Sequence, residues 1–128
     1  MSETTTRGVC IIVRPRFVPE QSDPDNGQWL FAYHITIRNQ GDQPVQLLSR
    51  HWIITNGEGQ VEEVRGAGVV GYQPLLKPGE EFQYTSGCPL TTPVGTMHGE
   101  FNMVVPDSGE KFDAKIDPFR LAVPKALN

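Results

Sequence analysis

Three glycines in the middle of the chain have the spacing with the clearest chemical association. Gly66, Gly68 and Gly71 form the pattern G-x-G-x-x-G. In dinucleotide-binding proteins this pattern follows a buried strand and opens a helix, whose first N–H groups bind the pyrophosphate. Here Pro74 and Pro78 follow so closely that a helix directly after the glycines is excluded. The pattern therefore predicts a sharp loop between strands, where glycine supplies positive φ or close backbone approach.

The same segment leaves two binding roles open. One is a nucleotide-binding loop of Gly66, Gly68 and Gly71, in which backbone N–H groups form an anion nest and Arg65 supplies the counter-charge. The other role depends on the apolar residues of a segment that should run along the surface. They either tuck under the loop or present an apolar patch to a partner. The candidate protein-contact residues are Arg65, Val69, Val70 and Tyr72.

The three histidines do not predict a metal site. Zinc needs His, Cys or carboxylate ligands at converging positions. His34 and His51 fall on strands that are neighbours in the chain and could face each other, but no local spacing supports a site with them or with His98. We expect ordinary strand histidines, no metal ligands and no cofactor.

A catalytic arrangement is not evident either. Ser86 and Cys88 lie close together but match no nucleophile motif. The adjacent acids at 62–63 point to opposite faces of a strand, and the acidic turn at 23–26 lacks the full calcium-loop pattern. The sequence therefore predicts a protein that is not an enzyme.

Composition and charge narrow the range of functions and cellular locations that the sequence allows. The chain has 128 residues, a net charge of -4 and scattered basic residues, which argues against a nucleic-acid surface. No stretch approaches the ~20 apolar residues of a membrane span, and the N-terminus lacks the pattern of a signal peptide. We expect a cytoplasmic protein whose Cys10 and Cys88 are reduced.

Alternation of apolar and polar residues predicts strands nearly throughout. Segments 9–17 and 29–37 are the clearest, and a third strand at 45–55 is expected to place Leu48, Trp52 and Ile54 on one face. Seven or more short strands with frequent turns predict an all-β fold, an antiparallel β-sandwich of the immunoglobulin or fibronectin type III kind, with a closed barrel as the alternative. The expected core residues are Trp29, Phe31, Ile35, Trp52, Phe82, Phe101 and Phe112.

Residues 1–128 are expected to form a single domain, in which residues 1–6 are a disordered N-terminal tail. This prediction follows from the length of the chain, which is typical of one domain.

The chain resembles the ApaG (CorD) family from about residue 7 onward. The resemblance lies in the motifs SRHWII at 49–54, VEEVRG at 61–66, GVVG at 68–71, LKPGE at 76–80 and YTSG at 84–87. It implies a free-standing bacterial member with a fibronectin type III-like or immunoglobulin-like sandwich. It also implies an association with cobalt and magnesium resistance and a use of related domains in protein–protein contacts. The family has no established catalytic residues.

The sequence is thus interpreted as a non-enzymatic binding module for an unidentified protein partner, with no nucleic acid or membrane partner. A homodimer through an exposed edge strand is left open. The alternative is a nucleotide or divalent-cation sensor that uses the Gly66–Gly71 loop. A phosphate-anhydride hydrolase is the least favoured class, because convergent carboxylates or histidines are not evident.

Overall fold

The structure, a computed structural model, describes residues 1–124. Nine strands are joined by short turns and by single 3-10 turns at Pro19–Gln21 and Pro24–Asn26, and the described residues contain no α-helix. The strands are β1 (Ser2–Thr6), β2 (Val9–Phe17), β3 (Trp29–Asn39), β4 (Val45–Asn56), β5 (Val61–Ala67), β6 (Leu75–Leu76), β7 (Glu81–Leu90), β8 (Val94–Val105) and β9 (Glu110–Ala122).

The strands form two antiparallel sheets. The first sheet has the order β1-β2-β3-β7, and the second has the order β5-β4-β8-β9, with β6 paired to the start of β4. Their inner faces pack against each other around one hydrophobic core. The predicted antiparallel β-sandwich is therefore confirmed, and the closed barrel is not adopted.

Alternation along the strands determines which side chains fill the core. In β3, Phe31, Tyr33, Ile35 and Ile37 are buried on one face, as predicted. The face of β8 that meets them is equally regular, because every second residue from Met97 to Val105 is buried. Of the seven expected core residues, four are buried and three pack against the core with partial exposure: Phe31, Ile35, Trp52 and Phe101, then Trp29, Phe82 and Phe112.

A β-bulge in β4 changes which residues face the core. The register with β8 shifts between Leu47 and Ser49, so inward positions are odd before the bulge and even after it. The prediction that Leu48 shares the inner face with Trp52 and Ile54 is therefore wrong. Leu47 is the fully buried residue, and Leu48 is the extra residue of the bulge, with partial exposure.

The N-terminal segment is a strand rather than the expected disordered tail. β1 pairs with β2 across a tight turn in which Arg7 and Gly8 have φ values of 49° and 84°. This hairpin makes residues 2–6 the edge of the first sheet. Their threonine-rich sequence suits a strand, because β-branched side chains pack well on a pleated surface.

Hydroxyl groups on one face of β1 join it to β9 in the other sheet. Ser2 donates to the carbonyl oxygen of Asp117 at 3.0 Å. Thr4 accepts from the backbone N–H of Asp117 at 3.1 Å, and Thr6 accepts from that of Lys115 at 3.2 Å. These bonds satisfy backbone groups at the edge of β9, which explains physically why the segment is ordered.

Both cysteines, Cys10 and Cys88, are buried and unpaired. Within residues 1–124, no helical segment has the length and apolar character needed to cross a bilayer.

Candidate functional site

The glycine-rich segment after β5 is a hairpin turn. The N–H of Val69 donates to the carbonyl of Tyr72 at 2.8 Å, and the reverse bond has the same length. Between them, Val70 and Gly71 have φ values of 43° and 86°, which is the pattern of a type I′ turn. The predicted sharp loop is thus present, and it turns back on itself without opening a helix.

Each glycine of the pattern has a structural reason. Gly68 has a φ of +62°, and a Cβ there would lie 2.3 Å from the carbonyl oxygen of Tyr72. Gly71 supplies the second positive φ of the turn, at +86°. Gly66 faces the guanidinium group of Arg50, to which an added Cβ would approach within 2.8 Å. The spacing therefore reflects one turn and one side-chain contact.

The backbone donors of this segment are largely occupied by the protein itself. The N–H of Gly68 donates to Leu48 at 2.9 Å, and those of Val69 and Tyr72 complete the turn. Arg65, expected as the counter-charge, lies beside His51 of β4 on the outer face of the second sheet, 3.8 Å from Glu63. The segment thus lacks the converging N–H groups of a helix N-terminus that pyrophosphate binding uses.

The four candidate protein-contact residues do not form one surface. Val69 is only 1% exposed and belongs to the core, so its assignment as a contact residue is wrong. Its side chain anchors the turn from below. Val70 and Tyr72, in contrast, are 51% and 62% exposed. Arg65 is also exposed but lies on the outer sheet face described above.

Tyr72 forms one wall of a groove that sequence reasoning did not identify. Its ring packs against Phe82 of β7, with 5.8 Å between ring centroids. The groove, called here the Tyr72 groove, has a volume of about 490 Å³. It is lined by Tyr72, Gln73, Pro74, Leu75, Leu76, Glu80, Glu81 and Phe82.

The rim of the Tyr72 groove is acidic and fixed in place. Glu80 accepts a hydrogen bond from the N–H of Lys77 at 2.8 Å. Hydrogen bonds from Gln83 and then Arg38 hold the pKa of Glu81 below its usual value. The Glu81 carboxylate is therefore charged at neutral pH, and the carboxylate of Glu80 is held beside the same apolar depression by its hydrogen bond.

A second depression, called here the Arg50 cleft, lies between the edges of β5 and β7. It has two adjoining chambers of about 210 and 170 Å³, which share Tyr33, Arg50, Trp52 and Ser86. Apolar and aromatic side chains form most of its walls. The first chamber adds Ile54, Glu62, Val64, Gly87, Cys88, Pro89 and Met97, and the second adds Val69, Val70 and Tyr84.

Burial determines the protonation of the groups in this cleft. It raises the pKa of the Tyr84 hydroxyl, and the neighbouring Tyr33 adds to the shift. Burial likewise raises the pKa of Tyr33. Burial, with a contribution from the Glu62 carboxylate, raises the pKa of the Cys88 thiol to about 11. At neutral pH the thiol is protonated, which makes it a poor nucleophile.

His34 and His51, which could have faced each other on neighbouring strands, lie on opposite sides of the sandwich. His34 is on the outer face of the first sheet, where its ring nitrogens contact Thr85 and Gln83 at 2.8 and 3.1 Å. His51 is on the outer face of the second sheet, with Nε2 2.7 Å from Glu63. Among residues 1–124, no three His, Cys, Asp or Glu side chains are grouped so that they could hold a metal ion.

Comparison with known proteins places these features in a family. The two antiparallel sheets, packed around one core, define a small immunoglobulin-like or fibronectin type III-like sandwich. The ApaG domain family matches residues 19–105. Since this match covers more than half of the 128 residues, the chain belongs to the ApaG domain family.

Relatives extend the similarity beyond the matched segment. Protein ApaG of Dechloromonas aromatica (strain RCB) is 57% identical over 128 residues, which is 100% of both chains. Protein ApaG of Bordetella pertussis is 57% identical over 118 residues, 92% of this chain and 89% of that one. A crystal structure described as the putative ApaA protein of Bordetella pertussis aligns with a TM-score of 0.90 at 54% identity, covering 95% of this chain and 98% of that chain.

Proposed function

We propose that this protein is a non-enzymatic module that binds a segment of a partner protein in the Tyr72 groove. The observation that carries the proposal is the exposure of Tyr72 and Leu75, at 62% and 51%, around one depression. Single exposed apolar residues are ordinary, but a contiguous set beside a groove is typical of an interaction surface. An exposed tyrosine is a frequent energetic anchor of such surfaces.

The charge of the rim specifies the chemistry of the partner segment. Glu80 and Glu81 lie beside the apolar wall, and the whole chain carries a net charge of -4. A complementary segment places an apolar side chain against Tyr72 and Phe82 and a Lys or Arg against the rim. Opposite charge across an interface favours encounter and disfavours wrong partners.

The edge of the first sheet supplies a way to hold an extended segment. β7 begins at Glu81, beside the groove, and among residues 1–124 it pairs only with β3. An extended peptide that lies along the free edge of β7 gains backbone hydrogen bonds, while the groove selects its side chain. The same edge would serve a second copy of the chain in a homodimer.

The chemistry of the Arg50 cleft supports a role without catalysis. Cys88, which lies near Ser86, has its thiol pKa raised to about 11 by burial. The family resemblance implies an association with cobalt and magnesium resistance. Under this proposal, the partner protein carries out that role, and the two proteins meet in the cytoplasm.

A peptide-display selection tests this proposal. We expect the immobilised protein to select segments in which an apolar residue is flanked by Lys or Arg. Backbone amide shifts caused by a selected peptide should centre on residues 72–76 and 80–83. Tyr72→Ala and Leu75→Asp, both in the wall of the groove, should each weaken binding by about tenfold, the loss of one anchor contact.

A matched control distinguishes binding in the groove from nonspecific binding to exposed apolar residues. Val61 is 63% exposed but lies at the start of β5, outside the groove. Val61→Asp should bind the same peptides with unchanged affinity. If the selected peptides bind both folded groove variants as tightly as the unaltered protein, the Tyr72 groove is not the interaction site.

A further inference from the structure

Arg50 is an arginine on the inner face of a sandwich, and two features place it there. The bulge between Leu47 and Ser49 reverses the alternation of β4, so that Arg50 pairs with the buried Phe101 and points between the sheets. Across the β4–β5 pair stands Gly66, which leaves room for the guanidinium group. A side chain at Gly66 would occupy the space of that group.

One side of the guanidinium group is fixed by the protein and the other is free. Nη1 donates to the carbonyl oxygens of Ala67 and Gly68, at 3.1 and 2.8 Å. Within residues 1–124, the ion pairs do not include Arg50, and its Nε and Nη2 have no hydrogen-bond partner. The carbonyl contacts thus orient a charged fork whose remaining donors are available to a planar carboxylate.

The hydroxyl group of Tyr84 is a second, independent sign of a missing partner. Tyr84 is 8% exposed, and its hydroxyl oxygen is buried without a hydrogen-bond partner in the described part of the chain. The residue lines the same chamber as Arg50. A buried polar group without a partner is costly, and such groups are rare in native proteins.

The walls of the cleft restrict the size and charge of a ligand. A cavity of about 150 Å³ holds a benzene-sized group, so the 210 Å³ chamber lined by Trp52, Ile54 and Met97 accepts a small apolar body. Glu62 lines the same chamber and contributes negative charge. A dianion such as phosphate is therefore disfavoured relative to a group with one negative charge.

We propose that the Arg50 cleft binds a small organic monocarboxylate, with its carboxylate against Arg50 and Tyr84 and its apolar body against Trp52. This site lies between β5 and β7, apart from the Tyr72 groove, and does not depend on the function proposed for that groove.

Two isosteric probes test the charge requirement on the unaltered protein. Benzoate and benzamide have nearly the same shape, but only benzoate carries the charge that Arg50 would pair. In a backbone amide NMR titration, benzoate should cause saturable shifts at residues 50–52, 66–70 and 84–88. Benzamide and inorganic phosphate should bind at least about tenfold more weakly. Equal binding of benzoate and benzamide, or no saturable shifts with benzoate, overturns the proposal.

Matched variants then assign the contacts. Arg50→Gln should weaken benzoate binding by about tenfold or more, and Tyr84→Phe by a factor of about three to ten. Arg65→Gln removes an exposed arginine on the other face of the sheet and should leave binding unchanged. An unchanged affinity in folded Arg50→Gln overturns the assignment. If that variant does not fold, the comparison of benzoate with benzamide decides alone.

Discussion

One lateral side of this sandwich is closed, and the other is open. On one side, the hydroxyl groups of β1 bond to the backbone of β9, and Arg7 lies 4.9 Å above the ring of Phe112 while it pairs with Glu110 at 2.7 Å. On the other side, β5 and β7 leave the Arg50 cleft between them. The sealed side uses its polar groups within the fold. On the open side, Nε and Nη2 of Arg50 and the hydroxyl of Tyr84 have no hydrogen-bond partner among residues 1–124. Binding chemistry is therefore expected on the open side only.

The largest expected effect on stability comes from truncating a buried isoleucine, and it can be compared between the closed and the open side. Ile116 in β9 is 2% exposed, whereas Ile54 in β4 lines the cleft with partial exposure. Ile116→Ala should lower the free energy of unfolding by about 3–4 kcal/mol, because it leaves a cavity in a packed region. Ile54→Ala should cost about half as much, since its site is already partly open. Urea denaturation followed by tryptophan fluorescence measures both, and equal losses would mean that the two sides are packed alike.

The glycine-rich turn provides a second comparison, within the open side. Gly68→Ala combines a positive φ with a clash against a main-chain oxygen and should cost about 2–3 kcal/mol. Gly71→Ala also has a positive φ but meets nothing within 4 Å, so it should cost about 1 kcal/mol. Thermal unfolding of both variants checks the order. A Gly68→Ala variant as stable as the unaltered protein would refute the tight turn.

Removing the Tyr84 hydroxyl should change stability by less than the substitutions above, and it should not lower it. Tyr84→Phe removes a buried group that has no partner among the described residues, so stability should be unchanged or higher by up to about 1 kcal/mol. Tyr33→Phe is the matched variant on β3, where Ser86 is near enough to hydrogen-bond the hydroxyl, and it should be mildly destabilising. A clear loss of stability in Tyr84→Phe would show that the hydroxyl has a partner in solution.

The smallest effect concerns pH on the sealed side. The hydrogen bond and charge of Arg7 hold the pKa of Glu110 below its usual value. A depressed carboxyl pKa adds stability that is complete above the unfolded pKa of about 4.3 and is lost as pH falls through the folded value. The stability difference between the unaltered protein and Glu110→Gln should therefore shrink between neutral and strongly acidic pH. Both residues are well exposed, so a large difference at neutral pH would contradict this account.

Much of the fold was predictable because the period-two pattern is local. The faces of β3 and β8 follow directly from their alternation. Two bulges break this rule. One places Leu47 rather than Leu48 in the core, and the other shifts the inner face of β9 after Ile116, so that Phe119 follows as the next buried residue. A bulge inserts one residue without a strong sequence signal, so alternation alone gives the wrong face beyond it.

The site was less predictable, for a related reason. The glycines correctly indicated a sharp turn, but the burial of Val69 depends on how that turn packs against the core. The orientation of Arg50 depends on the bulge and on Gly66 of the neighbouring strand. The Tyr72 groove likewise needs Phe82, which is distant in the sequence. Such contacts arise from pairing between strands, and a pattern read along one strand does not contain them.

The bonds between β1 and β9 also constrain the order of events during synthesis. They join residues 115 positions apart, Ser2 and Asp117, and β9 is the last of the nine strands to leave the ribosome. At roughly 5–20 residues per second, the β1–β2 hairpin waits several seconds for its partner. During that interval the hydroxyl face of β1 meets water rather than β9. A nascent chain arrested before residue 110 should therefore be protease-sensitive throughout, and protection should appear only after β9 has emerged.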